Sequence, residues 1–168
     1  HAVDMMLFMA GNPEIDFVQG SIVCQDSDWD GNRLNTDPAV TSAYVRFANG
    51  VYGYNTAGPG PEFEVCGNSG KLRTLNNGIE CQFRQSGDFA RILEEVGFPE
   101  VARESGTEMG ILDIAEALDQ NRETQGPIHL ARRSQEIMMG AIEPHRLDGL
   151  RVNLPMENRS LYVGRPNW

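Results

Sequence analysis

Two Asn-Gly dipeptides, Asn49-Gly50 and Asn77-Gly78, constrain this chain more than any other feature. Asn-Gly is the strongest short-range hairpin signal, because both residues accept the left-handed backbone of a two-residue turn. Each dipeptide is flanked by alternating apolar and polar residues. A two-residue turn at Asn49-Gly50 puts Phe47 opposite Tyr52 and Val45 opposite Tyr54 on an apolar face. It puts Arg46 opposite Gly53 and Tyr44 opposite Asn55 on a more polar face. The second turn groups Leu72, Thr74, Ile79, Cys81 and Phe83 on one side. Lys71, Arg73, Glu80, Gln82 and Arg84 take the other. Sheets with one apolar and one polar face are usually antiparallel.

The rest of the chain is read around these hairpins. Residues 16–24 and 62–67 read as strands, separated by a long polar loop over 25–38 and the Gly58-Pro59-Gly60-Pro61 break. From Asp88 the apolar period lengthens. A short helix is expected over 88–96, capped by Asp88 and closed by Gly97, with a polar link over 98–107. Ile111, Ile114, Ala115 and Leu118 predict a helix over 108–120, ending at Asn121. Pro127 suits the first turn of another helix, which Pro144 ends or kinks. Residues 151–155 read as extended, and the tail to Trp168 as irregular. The opening segment, His1 to Ala10, reads as a helix stopped by Gly11; it is apolar almost all round and therefore expected to be buried on most sides. Strands followed by helices mean an α+β fold: an open, mostly antiparallel sheet of about five or six strands with helices on one face. No internal boundary is visible, so residues 1–168 are expected to form a single domain.

Composition removes several function classes. The formal net charge is -10 and the pI about 4.7. That opposes non-specific nucleic-acid binding and attraction to an anionic membrane. No apolar run approaches the roughly 20 residues of a membrane span. Cys24, Cys66 and Cys81 are odd in number and contain no C-x-x-C, so neither a disulfide framework nor a zinc cluster is expected. Reduced core thiols point instead to the cytoplasm. His1, His129 and His145 lack metal-ligand spacing, and no metal is expected. His129 and His145 read as surface or polar-packing residues, and Arg132-Arg133 as a solvated helix face or a partner for carbonyls and carboxylates. Gly58-Pro59-Gly60 lacks the context of a dinucleotide fingerprint, and no phosphate loop or nucleophile elbow occurs.

His1 and Asp4 are the residues that chemistry singles out. The i, i+3 spacing puts them on one face at a helix amino end. That end is electropositive and suits an anionic or hydroxyl-bearing ligand. An imidazole there suits proton transfer. Plain capping and packing remains the other reading of His1. Tyr44, Arg46 and Asn55 on the polar hairpin face are candidates for substrate or subunit contact.

The segment H-A-V-D-M-M-L-F-M-A-G-N-P-E-I-D-F-V resembles the start of the carboxy-terminal domain of the glucose–fructose oxidoreductase and inositol dehydrogenase family. So do N-G-V-Y-G-Y, F-E-V-C-G-N-S-G-K-L, and the final block from A-L-D-Q-N-R-E-T through A-R-R-S-Q-E-I-M to R-V-N-L-P. Together they span nearly the whole chain in order. The resemblance implies the second domain of a Rossmann-type dehydrogenase, with the Rossmann domain absent and the chain cut short at its amino end. It implies hydride transfer between NAD or NADP, held mainly by the missing domain, and a hydroxyl of a sugar, cyclitol or related polyol. His1 matches the family's catalytic His, and Asp4 the Asp that follows it, an orienting residue at the substrate site. The resemblance also implies a homo-dimer or homo-tetramer formed through the sheet. The fragment alone is expected to be inactive. Asn55-Thr56-Ala57-Gly58-Pro59-Gly60 stands where inositol-oxidising relatives have tyrosines, which puts inositol specificity in doubt. Two alternatives share these features: an NAD-dependent glycosidase or dehydratase, and a non-catalytic binding or dimerisation module.

Overall fold

The computed structural model describes residues 1–87, 92–99 and 105–164. In chain order they form α1 (Ala2–Met9), β1 (Ile15–Val23), β2 (Trp29–Asp30), β3 (Arg33–Leu34), β4 (Ala39–Phe47), β5 (Tyr52–Thr56), β6 (Phe63–Cys66), β7 (Gly70–Leu75), β8 (Glu80–Ser86), β9 (Leu93–Val96), α2 (Gly106–Gln120), α3 (Ile128–Ile142), β10 (Val152–Asn153) and β11 (Tyr162–Val163). The fold is α+β with open, mostly antiparallel sheets, as the strand-then-helix order predicts. Contacts gather into two compact units, His1–Gly58 with Gly126–Trp168, and Pro59–Gln125. The hairpins therefore belong to different sheets rather than to one of five or six strands.

In the first unit the sheet order is β10-β1-β4-β5, antiparallel throughout. Val18 pairs with Val45 and Gly20 with Ala43, so these residues share a face. α3 crosses that face very closely. A Cβ on Gly20 would stand 2.3 Å from the Ala141 carbonyl oxygen, and one on Gly140 would meet Val18 at 3.3 Å. The core joins Leu7 from α1, Ile15 and Val18 from β1, Val45 and Phe47 from β4, and Ile137 and Ala141 from α3. Each fully buried Leu, Ile, Val or Phe side chain there contributes on the order of 1.5–3 kcal/mol. A smaller cluster of Ile22, Leu34 and Ile142 lies against Cys24, Trp29 and Val163.

The second unit is an antiparallel meander, β6-β7-β8-β9, with α2. Ser105 caps α2 by accepting from the Glu108 backbone N–H at 3.4 Å. Asn121 ends the helix in the left-handed conformation, as its place in the sequence predicts. Asp113 accepts from the Gln125 backbone N–H at 2.7 Å and pairs with Arg122 at 2.9 Å. That backbone donor, and then Arg122, hold its carboxyl below the usual carboxylate range. Glu64 on β6 is lowered in the same sense by its hydrogen bond from Lys71 on β7.

Several expectations are corrected. Leu93–Val96 is a strand paired with β8, not the end of a helix over 88–96; residues 88–91 lie outside the described residues. Pairing along the β8 edge outweighs a weak helical pattern. The supposed loop over 25–38 carries a 3-10 turn at Asp26–Asp28 and the ribbon β2–β3. The tail is not wholly irregular, since β11 pairs in parallel with β3. α3 ends at Ile142, and Pro144 sits in a 3-10 turn over Glu143–Leu147. α1 is not buried on most sides: among its residues only Leu7 is fully buried, and Phe8 is 69% exposed. One face of the helix packs on the sheet and α3, and that face alone is covered.

Candidate functional site

α1 is fixed by neighbours at several points along its length, one of them, Ser134, at its amino end. At its far end, Gly11 and Asn12 close a Schellman motif, with Gly11 N–H donating to Phe8 O and Asn12 N–H to Leu7 O, both at 2.9 Å. The hairpin tip ties in there too: Asn49 Nδ2 donates to Ala10 O at 2.9 Å. Along its length, Met6 lies over Gly53 of β5, where any Cβ would collide with its sulfur at 2.4 Å. α3 grips both ends. The Ser134 hydroxyl donates to Asp4 Oδ1, while Arg133 donates to Asn12 O at 2.7 Å and pairs with Glu14. Arg133 is thus the carbonyl and carboxylate partner that the Arg132-Arg133 pair suggests.

His1 occupies the N-cap position without a side-chain cap bond, and is exposed. Its carbonyl accepts from Met5 N–H at 2.9 Å, which closes the first turn. An exposed imidazole above the free N–H groups of a helix start can exchange a proton with a hydroxyl placed there. Ser134 sits 6% exposed, so Asp4 is held from the buried side.

The other candidates lie differently from the expected register. β4 and β5 pair Val45 with Gly53, Tyr44 with Tyr54 and Arg46 with Tyr52. Phe47 N–H donates to Val51 O, and Gly50 N–H to Phe47 O, so the loop is Ala48-Asn49-Gly50, with Gly50 at φ 90°. One extra loop residue slips the register by one and flips β5. Gly53 and Asn55 therefore share the face that carries α1, whereas Tyr44 and Arg46 share the opposite face with Tyr52 and Tyr54.

That opposite face is aromatic rather than polar. Tyr44 stacks on Tyr54 at 5.0 Å between ring centroids and meets Phe17 edge-on at 5.7 Å. Tyr52 packs edge-on against Tyr54 at 5.9 Å, and Arg151 lies over Phe17 at 4.8 Å. Tyr52 and Tyr54 are 60% and 68% exposed. Tyr44 and Tyr54 line a shallow hollow with Gln19 and Ser42. The structure thus sets His1 and Asp4 on the helix side and Tyr44 and Arg46 on the open side of the same sheet. Phe17, Tyr52 and Tyr54 are the residues that sequence reasoning left out of this face. The signal that would have placed them was the alternative three-residue loop ending in Gly50.

Among the described residues no group of three or more His, Cys, Asp or Glu side chains could hold a metal ion. Nor is any of their helices long and apolar enough to cross a membrane. The pyrophosphate of a nicotinamide dinucleotide needs a glycine-rich turn between a strand and a helix amino end, and among the described residues α3 does not start from such a turn.

No protein-family model and no curated protein matches the chain. Solved structures do. It superimposes on yvaA from Bacillus subtilis, named as an oxidoreductase, with a TM-score of 0.63 and 11% identity, over 92% of this chain and 50% of that one. Levoglucosan dehydrogenase, solved with NADH and levoglucosan, gives 0.60 and 18%, over 92% and 48%. UDP-N-acetylglucosamine 3-dehydrogenase GnnA from Acidithiobacillus ferrooxidans gives 0.57 and 12%, over 85% and 43%. The chain spans about half the length of these proteins. At such identities the likeness establishes the fold alone, one shared with about half of each of these proteins.

Proposed function

We propose that the chain is the substrate-binding half of a nicotinamide-dependent oxidoreductase acting on a hydroxyl of a sugar, cyclitol or related polyol. The observation that carries this reading is the amino end of α1. An exposed imidazole stands there beside a carboxylate held by α3, on a fold shared with dehydrogenases of levoglucosan and UDP-N-acetylglucosamine. His1 takes or gives the hydroxyl proton. Asp4, positioned by Ser134, and Asn55, on the α1 side of β5, are the polar neighbours suited to orient a polyol. The cofactor of this reading is NAD or NADP, held mainly by a Rossmann-type domain outside residues 1–168.

The open face around Tyr44, Tyr52 and Tyr54 has a different role. Two exposed tyrosines beside a third ring, on the side of the sheet away from the helices, suit contact with a second copy of the chain. Tyr44 and Arg46 therefore serve self-association rather than substrate.

Turnover of a polyol and sugar panel by the full-length protein, followed as reduced nicotinamide, tests the main reading. Net reduction with a substrate of this class is expected. Bond cleavage without net reduction would favour a redox-assisted glycosidase or dehydratase, and neither outcome with any substrate would favour a binding module.

A further inference from the structure

The second core cluster of the first unit holds a thiol–imidazole pair that the proposed reaction does not use. Cys24 follows β1, and His145 lies in the 3-10 turn after α3; Cys24 Sγ stands 3.2 Å from His145 Nε2. Both residues are half-buried. The Trp29 ring lies nearly parallel to the imidazole, at 10° and 6.4 Å between centroids. Arg146 covers the indole at 5.4 Å and is itself held by Glu143, which is 7% exposed, at 3.3 Å. Asn158 donates to the other Glu143 oxygen at 2.8 Å. The indole Nε1 of Trp29 is buried with no hydrogen-bond partner, which leaves one donor beside the pair unused. A thiol within hydrogen-bond reach of an imidazole base is an arrangement that activates it. The unused donor is the complement of an oxygen-bearing ligand or adduct.

We infer that Cys24 and His145 form a thiol site that reacts with peroxides. In the tautomer with Nε2 unprotonated the thiol donates to it. As the sulfur attacks, an S–O bond forms, the O–O bond breaks and the thiol proton passes to Nε2. The departing hydroxide takes that proton back and leaves as water. Sulfur is oxidised to the sulfenic acid and the peroxide is reduced. Cys66 is the internal reference, since it is exposed and its hydrogen bond goes to the Glu64 carboxylate at 3.5 Å.

The test is limiting hydrogen peroxide with dimedone as the trap, each cysteine being read by peptide mass spectrometry on the folded chain. Trapping at Cys24 should run at least about 100-fold faster than at Cys66, the scale of general-base assistance. His145→Gln should bring Cys24 down towards Cys66. Equal rates at the two cysteines in the unsubstituted chain would overturn the inference, as would an undiminished Cys24 rate in folded His145→Gln. The unsubstituted ratio decides the matter should His145→Gln fail to fold.

Discussion

The two compact units are built from the same parts and packed very differently. Each has a four-stranded antiparallel sheet and an Asn-Gly hairpin. In the first, α1 and α3 cover one face, and Leu7, Val18, Val45, Phe47 and Ile137 fall to 1% exposure or less. In the second, Ala117 is the one buried residue among those described. Ile111, Ile114 and Leu118 of α2 remain 64%, 53% and 78% exposed. The first unit is therefore held by its core, whereas the second leans on ladder hydrogen bonds and surface ion pairs. The candidate site sits on the first, where a helix end can be held in place.

The largest expected effect breaks that asymmetry at its centre. Phe47→Ala should destabilise by about 3–5 kcal/mol, while Phe83→Ala, at a half-buried position of the second sheet, should cost roughly 1–2 kcal/mol in chemical denaturation. Equal losses would mean the second sheet has a core of its own. The glycines give the next step down. Gly20→Ala drives a methyl into the α3 backbone and should cost about 1–3 kcal/mol. Gly78→Ala meets nothing within 4 Å and carries only the strain of φ 79°, on the order of 1 kcal/mol.

Tyr54→Arg should leave the melting temperature within a few degrees of the parent's, yet shift sedimentation towards the monomer. No shift would remove self-association from the aromatic face. The smallest effect concerns Asp113 in the second unit. Its folded value is lowered, so its contribution is present above the ordinary Asp value and fades as pH falls through the folded one. Asp113→Asn should melt slightly earlier than the parent near neutrality, and the two curves should merge in acid. A gap that persists at low pH would trace the loss to something other than the charge.

The hairpins also show how much was legible. At Asn77-Gly78 both residues take positive φ, the loop is the two-residue turn the dipeptide predicts, and Leu72 and Phe83 pair on the expected face. At Asn49-Gly50 the same dipeptide is drawn into a longer loop. Asn49 is engaged by the carbonyl of Ala10, just past α1, and by Val51 N–H, tertiary and local contacts invisible in the hairpin's own sequence. The slip moved Tyr54 and Asn55 to faces opposite those expected. Helix ends at Gly11 and Asn121 were readable because left-handed caps have strong residue preferences. The Leu93–Val96 strand was not, because only the β8 edge decides it. His1 stood out by chemistry, and the family resemblance gave it a role. The grip of Ser134 on Asp4 required the fold, since the two residues lie on different helices and are far apart in sequence.

The most direct test of the central claim is a pH–rate profile of polyol oxidation for the full-length protein and its His1→Asn variant. The claim predicts a fall in kcat of about 100-fold or more with the imidazole's limb of the profile gone, and KM little changed. An unaltered kcat and profile would contradict it.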